Sequence, residues 1–401
     1  MTNHANPNNE RGAPWEFWGD QIDSESKNQL HAACQLPIAV KGALMPDAHV
    51  GYGLPIGGVL ATDNAVIPYG VGVDIACRMK LTITDIPVKS LSQRREKLIR
   101  AIEKETRFGI GAHFKEKRTH DIMDKDWSIS PITQNGKDKA WAQLGTSGSG
   151  NHFVEFGLFN LAEPLEGLET GTYVALLSHS GSRGLGARVC GHYSAIAKQQ
   201  VDNLPKTMSM LAWLDLDTEA GQEYWKAMEL MGDYAAANHE LIHRHVLERY
   251  GANPLLQIEN HHNYAWKETH LIDGEKRLLV VHRKGATPAG PNVLGIIPGS
   301  MATTGFLVRG KGSDDSLNSA AHGAGRVMSR KRALSKFQWQ HVNQKLKEAG
   351  VTLISAGLDE VPMVYKDIES VMTAQADLVD KVGRFDPKIV KMAPPGEKPE
   401  D

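Results

Sequence analysis

The chain reads as a mixed helix-and-strand protein with loop-borne sites, on three observations. Amphipathic helical stretches and short β-branched stretches alternate irregularly rather than as repeating βαβ units. Glycine is enriched, at 39 of 401 residues, or about 10% against an average near 7%. Those glycines gather with His, Ser and Asn into blocks at 51–58, 70–72, 145–150, 181–186, 285–299 and 323–325. Such blocks turn sharply and let backbone N–H groups approach a ligand, which is the chemistry of phosphate cradles and loop-built sites.

The elements follow from periodicity. Residues 90–108 place Leu91, Leu98, Ile99 and Ile102 on one helical face with charges opposite. Over 219–250, Tyr224, Met228, Met231, Ala235, Ile242 and Val246 recur at helical spacing, so a long helix or a helical pair is expected there. A third helix is expected from about 368 to 382. Strands are expected at 79–83, 172–177 and 277–282, which are rich in Val, Leu, Ile and Thr. The charged, weakly periodic stretch 115–139 reads as an exposed insertion. Residues 1–11 and 394–401 are polar or Pro-rich and are expected to be mobile. No composition break marks a domain linker.

At 41% apolar and 23% charged residues, the composition is that of an ordinary globular protein rather than a disordered one. The formal net charge of −2 excludes a global basic field, so any nucleic acid must be held by a local groove. No stretch approaches the ~20 apolar residues that span a bilayer, and the first residues hold no apolar signal segment. A cytoplasmic protein without a membrane partner is expected. Cys34, Cys77 and Cys190 are too few and too scattered for a disulfide framework. Cys34 and Cys190 read as small buried hydrophobes.

Two constellations compete for the chemistry. His239-Glu240-Leu241-Ile242-His243 satisfies H-E-x-x-H, the zinc-protease pattern, in a helical context. The chain has 17 His and shows no third ligand at a recognisable spacing, so solvated histidines on a helix face are the simpler reading. The other constellation is dispersed over loops and strand ends: Asp74 and Cys77 in GVDIACRM, His152 after a glycine run, His179 opening HSGSRG, and His262 before Asn263. One Asp, one Cys and three His would satisfy one or two transition-metal ions, and the thiolate favours softer metals such as zinc. In HRKGAT (282–287) a basic run ends in small residues. In HGAGR (322–326) a His sits beside flexible backbone and a guanidinium, where it could attack phosphorus or simply occupy a turn.

The blocks MPDAHVGYGLPIGG (45–58), GVDIAC (72–77), GSGNHFVE (148–155), HSGSRGLG (179–186), HHN (261–263), VHRKGAT (281–287), IIPGSM (296–301), HGAGRVMSR (322–330) and DEVPMVYKDI (359–368) closely resemble the RtcB RNA ligase family, in family order. The resemblance implies an α+β fold of sheets flanked by helices around one deep metal- and nucleotide-binding cleft. It implies a catalytic domain over 35–391, with an N-terminal segment at 1–34 and a polar tail at 392–401. It assigns Asp74, Cys77, His152, His179 and His262 as ligands of two Mn²⁺ ions, with Cys77 bridging. His322 matches the guanylylated histidine, and Asp47 an acidic residue near the reacting ends. Asn151, Glu155, Ser300, Gly323, Ala324, Gly325, Tyr365 and Lys391 match positions that hold GMP, with Glu155 on the guanine edge and Lys391 close to the base.

The implied activity is GTP- and Mn²⁺-dependent joining of RNA 3′-phosphate or 2′,3′-cyclic phosphate ends to 5′-hydroxyl ends, in RNA repair or tRNA splicing. The implied partners are that RNA and GTP, for a monomer whose use of an activating protein stays open. A non-catalytic RNA-end-binding module is the alternative within the same cleft. Three departures stand out. Gly305 occupies a position that is usually Ser, Ala321 one that is often Cys, and ten residues follow Lys391 where the family usually ends on Lys-Gly.

Overall fold

The computed structural model describes residues 12–397. Two sheets organise them. A five-stranded sheet runs in the order Trp15–Phe17, Ala39–His49, Ile56–Thr62, Glu275–Lys284, Asn263–Ile272. The larger sheet runs Leu294–Ile297, Gly305–Gly310, Val379–Met392, Phe153–Leu161, Gly171–Ser180, Arg78–Thr84, Pro254–His261, with Thr352–Ser355 paired in parallel to Val379–Met392. The sheets join where strand Pro254–His261 of one runs through His262 into strand Asn263–Ile272 of the other. Among the described residues no helix is long and apolar enough to cross a membrane.

The three expected strands form, each longer than periodicity shows: Arg78–Thr84, Gly171–Ser180 and Glu275–Lys284. Residues 219–250 make one helix, Glu219–Tyr250, capped by the Thr218 side chain and ended by Gly251 in the left-handed conformation. Its buried face carries Tyr224, Met228, Met231 and Leu241 against Leu185, Val189 and Tyr193 of helix Arg183–Gln200. Further along, Ile242 and Val246 pack with Leu98 and Ile102. Each such side chain, fully buried, contributes roughly 1.5–3 kcal/mol.

Three expectations are corrected. The helix over 90–108 is two pieces, Ser90–Gln93 and Arg95–Glu105, broken at Arg94, whose φ of −125° leaves the helical region. The helix expected to about 382 stops at Ala374; from Val379 the chain is strand Val379–Met392, where Val379 and Val382 face the core and Asp380 and Lys381 face solvent. The stretch 115–139 is not a wholly exposed insertion. Ile122, Met123 and Trp127 are buried, and the Trp127 indole donates to the Ile122 carbonyl at 3.0 Å, so three apolar side chains anchor what charge alone marks as loop. The expectations for 1–11 and 398–401 lie outside the described residues.

Candidate active site

The dispersed metal-ligand candidates converge because they sit at one end of neighbouring antiparallel strands. Cys77 precedes strand Arg78–Thr84, His152 precedes Phe153–Leu161, His179 lies at the end of Gly171–Ser180, and His262 follows Pro254–His261. Strands that alternate in direction bring starts and ends to the same edge. The register does so here, with His179 opposite both Met79 and Phe153, and Arg78 opposite His261.

Cys77 Sγ lies 3.4 Å from His152 Nε2 and 3.0 Å from His179 Nε2, which is 3.2 Å from His262 Nε2. Asp74 Oδ2 lies 3.2 Å from His152 Nε2. Two donor groups result, Asp74–Cys77–His152 and Cys77–His179–His262, all buried and sharing the sulfur. His179 Nδ1 faces the Asn151 carbonyl at 3.1 Å; that oxygen only accepts, so Nδ1 carries the proton and Nε2 turns its lone pair to the cluster. Burial lowers the His179 pKa to about 3 and holds His262 well below its usual value, which keeps both rings neutral as ligands must be. Burial alone would push the Asp74 carboxyl up, but His152, Cys77 and the Ser182 N–H hold it below the usual range. Asp74 Oδ2 is buried, with the His152 ring as its near neighbour. Lone pairs converging from carboxylate, thiol and imidazole are a donor set that fits transition-metal ions.

His322 follows the short strand Ser319–Ala321 and packs its ring 4.9 Å from that of His262. Its Nδ1 lies 2.7 Å from Asp47 Oδ2, which also accepts the backbone N–H groups of His322 and Gly323 at 3.1 and 3.2 Å. A carboxylate oxygen receiving two N–H donors is an acceptor for the third as well. Nδ1 therefore holds a proton, and Nε2 is the ring nitrogen left outside this pair. Asp47 is fully buried, and Lys366 Nζ bridges the carbonyls on either side of it, those of Pro46 and Ala48, at 3.0 and 2.9 Å.

Beside these groups lies a cleft of about 760 Å³. Asn151, Glu155, Ser300, Gly323, Ala324, Gly325 and Tyr365 line it, as do Asp74, Cys77, His179, His262 and His322. Burial pushes the Glu155 carboxyl well above its usual range. The Tyr365 hydroxyl bonds to Glu360, a buried carboxylate that also pairs with Arg326 and Arg330. Gly305 lines the cleft where a β-carbon would sit 3.2 Å from Pro298 Cα, so a serine would need that loop to give.

A family model described as "tRNA-splicing ligase RtcB" matches residues 29–131 and 125–392. The chain belongs to the RtcB family. It is 32% identical over 412 aligned positions to the RNA-splicing ligase RtcB of Escherichia coli K12, spanning 92% of this chain and 95% of that one. It is 33% identical to the tRNA-splicing ligase RtcB of Methanococcus maripaludis, spanning 91% and 89%. Against the RNA-splicing ligase RtcB of Mycobacterium bovis it is 31% identical, spanning 90% and 98%.

One position expected from the RtcB resemblance stands apart. Lys391 pairs with Val154, while the cleft-lining Val390 and Met392 pair with Glu155 and Phe153. Successive strand residues face opposite sides. The Lys391 ammonium accordingly turns to Thr106, bonding its hydroxyl at 3.0 Å, and burial lowers its pKa to about 8.

The HELIH histidines are not solvated, which corrects that expectation. His239 and His243 are fully buried and bond to Ser178, while Glu240 points outward to His120 and Arg244. Both rings are committed to protein hydrogen bonds on a face that the Glu does not share, so no protease site forms. Residue-by-residue reading passed over His49, Glu360 and Lys366, although each lies inside a block quoted for the RtcB family, and noted Lys284 only within the basic run 282–287. Lys284 lines the cleft, bonds the Tyr52 carbonyl at 2.5 Å, and has its pKa lowered by burial to about 8.

Proposed function

We propose that the protein is a GTP- and Mn²⁺-dependent RNA ligase that joins RNA 3′-phosphate or 2′,3′-cyclic phosphate ends to 5′-hydroxyl ends through a His322–GMP intermediate, in RNA repair or tRNA splicing. The observation that carries this reading is the His322–Asp47 pair, which engages Nδ1 and leaves Nε2 as the nitrogen available for attack beside the His262 ring. Family membership supplies the reaction class.

Asp74, Cys77 and His152 would hold one ion, and Cys77, His179 and His262 the other. When bound, the ions supply positive charge that neutralises phosphate oxygens and lowers the barrier to displacement at phosphorus. His322 Nε2 attacks the α-phosphorus of GTP; a nitrogen–phosphorus bond forms as the bond to pyrophosphate breaks. Asp47 accepts from Nδ1–H throughout and stabilises the positive charge that grows on the ring. An oxygen of the RNA 3′-phosphate then displaces Nε2 and takes the GMP. The 5′-hydroxyl oxygen attacks the activated 3′-phosphorus, forming the phosphodiester and releasing GMP. A cyclic end must first be opened to a 3′-phosphate by water. Glu155 would accept from the N–H groups of the guanine edge, which stabilise the carboxylate that burial disfavours. Lys284 is placed to meet triphosphate oxygens.

The test is end-specific joining. With Mn²⁺ and GTP, RNA bearing a 3′-phosphate should join to RNA bearing a 5′-hydroxyl. Joining only of 3′-hydroxyl to 5′-phosphate ends, or none at all, would refute the proposal.

A further inference from the structure

The sequence leaves HELIH without a role, and the hydrogen bonds around it have a single consistent direction. His239 Nε2 faces the Ser180 carbonyl at 3.1 Å, an oxygen that only accepts, so Nε2 carries the proton and Nδ1 accepts. Its donor is the Ser178 hydroxyl at 2.6 Å. Having given its one proton, Ser178 Oγ must accept from His243 Nε2–H at 2.8 Å. His243 Nδ1 then accepts the Thr82 hydroxyl proton at 2.7 Å, and Thr82 accepts from the Gln257 amide at 3.4 Å. Burial keeps both rings neutral, as this pattern requires.

Ser178 and Ser180 flank His179, and strand alternation turns them to the helix while His179 faces the cleft. The same helix reaches the other ligand-bearing segments. Asn238 Oδ1 accepts from the Gly145 N–H at 2.9 Å, at the head of the glycine run that ends in His152. Its amide nitrogen donates to the Gly181 carbonyl at 3.2 Å, beside Asp74. Arg78, next to Cys77, donates to the Gly232 carbonyl at 3.0 Å. Apolar packing would bury this face as well, but it is non-directional; hydrogen bonds fix register and rotation.

We propose that Asn238, His239 and His243 form a buried polar rack on helix Glu219–Tyr250, which positions the strand of His179 and the loops of Asp74 and His152 for metal binding. These are positioning residues, and the inference rests on reading Asp74, Cys77, His152, His179 and His262 as the ligands.

The test uses Co²⁺ as probe on the full chain, because a cobalt–thiolate charge-transfer band reports Cys77 ligation without turnover. His243→Phe and Ser178→Ala each break the relay; Val246→Ala trims a buried apolar side chain of the same helix that makes no part of it. Affinity and spectrum are read well below each variant's melting temperature. The relay variants should bind Co²⁺ on the order of 10-fold more weakly, with a shifted band. Val246→Ala should melt lower yet bind as wild type. If His243→Phe fails to fold, Ser178→Ala carries the comparison. Wild-type affinity and spectrum in the folded relay variants would overturn the proposal, as would equal weakening in Val246→Ala. A wild-type spectrum in His179→Ala would instead overturn the ligand assignment, and the rack with it.

Discussion

In the proposed reaction, Asp47 decides which nitrogen of His322 is the nucleophile. The pair spans 275 positions of sequence, so the HGAGR block discloses the histidine but not the partner that sets its tautomer. Asp47→Ala should slow GMP labelling by at least about 100-fold, while Co²⁺ binding persists because Asp47 belongs to neither donor group. Equal loss of labelling and metal binding would show that Asp47 shapes the metal site instead. In the same proposal Glu155 is the corresponding residue for base choice. Glu155→Gln replaces one acceptor oxygen by a donor and should erode the preference for GTP over ATP in labelling assays; an unchanged preference would place guanine recognition elsewhere.

Among elements, the decisive feature is the shared edge of four antiparallel strands, because it converts residues far apart in sequence into two donor groups. Strand ends and glycine blocks were legible locally: β-branched runs gave three of the strands, and GVDIAC, GSGNH, HSGSRG and HHN marked loops or strand ends. What periodicity could not give was pairing order, which depends on register between distant segments. It also misread 368–382, where a short helix hands over to strand Val379–Met392, and it took HELIH for a solvated face because hydrogen-bonded burial of histidines leaves no hydropathy signal. Glycine is required at two of these turns. A β-carbon at Gly181 would lie 2.0 Å from Asp74 Oδ2. One at Gly325, whose φ is +74°, would lie 2.0 Å from the Asp47 carbonyl oxygen. Gly181→Ala should therefore lose Co²⁺ binding, and Gly325→Ala should lose labelling while keeping the metal. Wild-type behaviour in either would mean that the loops yield more easily than their packing indicates.

The whole molecule buries an unusual set of neutral histidines, and this fixes how its stability depends on pH. Burial lowers His49 and His282 to about 4 and His179 and His261 to about 3, and holds His239, His243 and His262 well below the usual value. Above about pH 6.5 these rings are neutral in the folded and unfolded chain alike. Below it the unfolded chain takes up protons that the fold refuses, so stability falls as pH drops toward the folded values, by up to about 1.4 kcal/mol per pH unit for each ring. Urea unfolding of the metal-free protein between pH 7.5 and 5 should show a steep loss of stability; a flat profile would mean the rings are already solvated. The same architecture sets His322, carried by the strand pair Ala286–Pro288 and Ser319–Ala321, against donors on the edge of the larger sheet. The most direct measurement of what that juxtaposition does is mass spectrometry of peptides from protein incubated with Mn²⁺ and GTP, kept alkaline to preserve a phosphoramidate. A GMP adduct on His322, absent from His322→Ala, is the expected result; an adduct on another residue, or undiminished labelling of the variant, would contradict it.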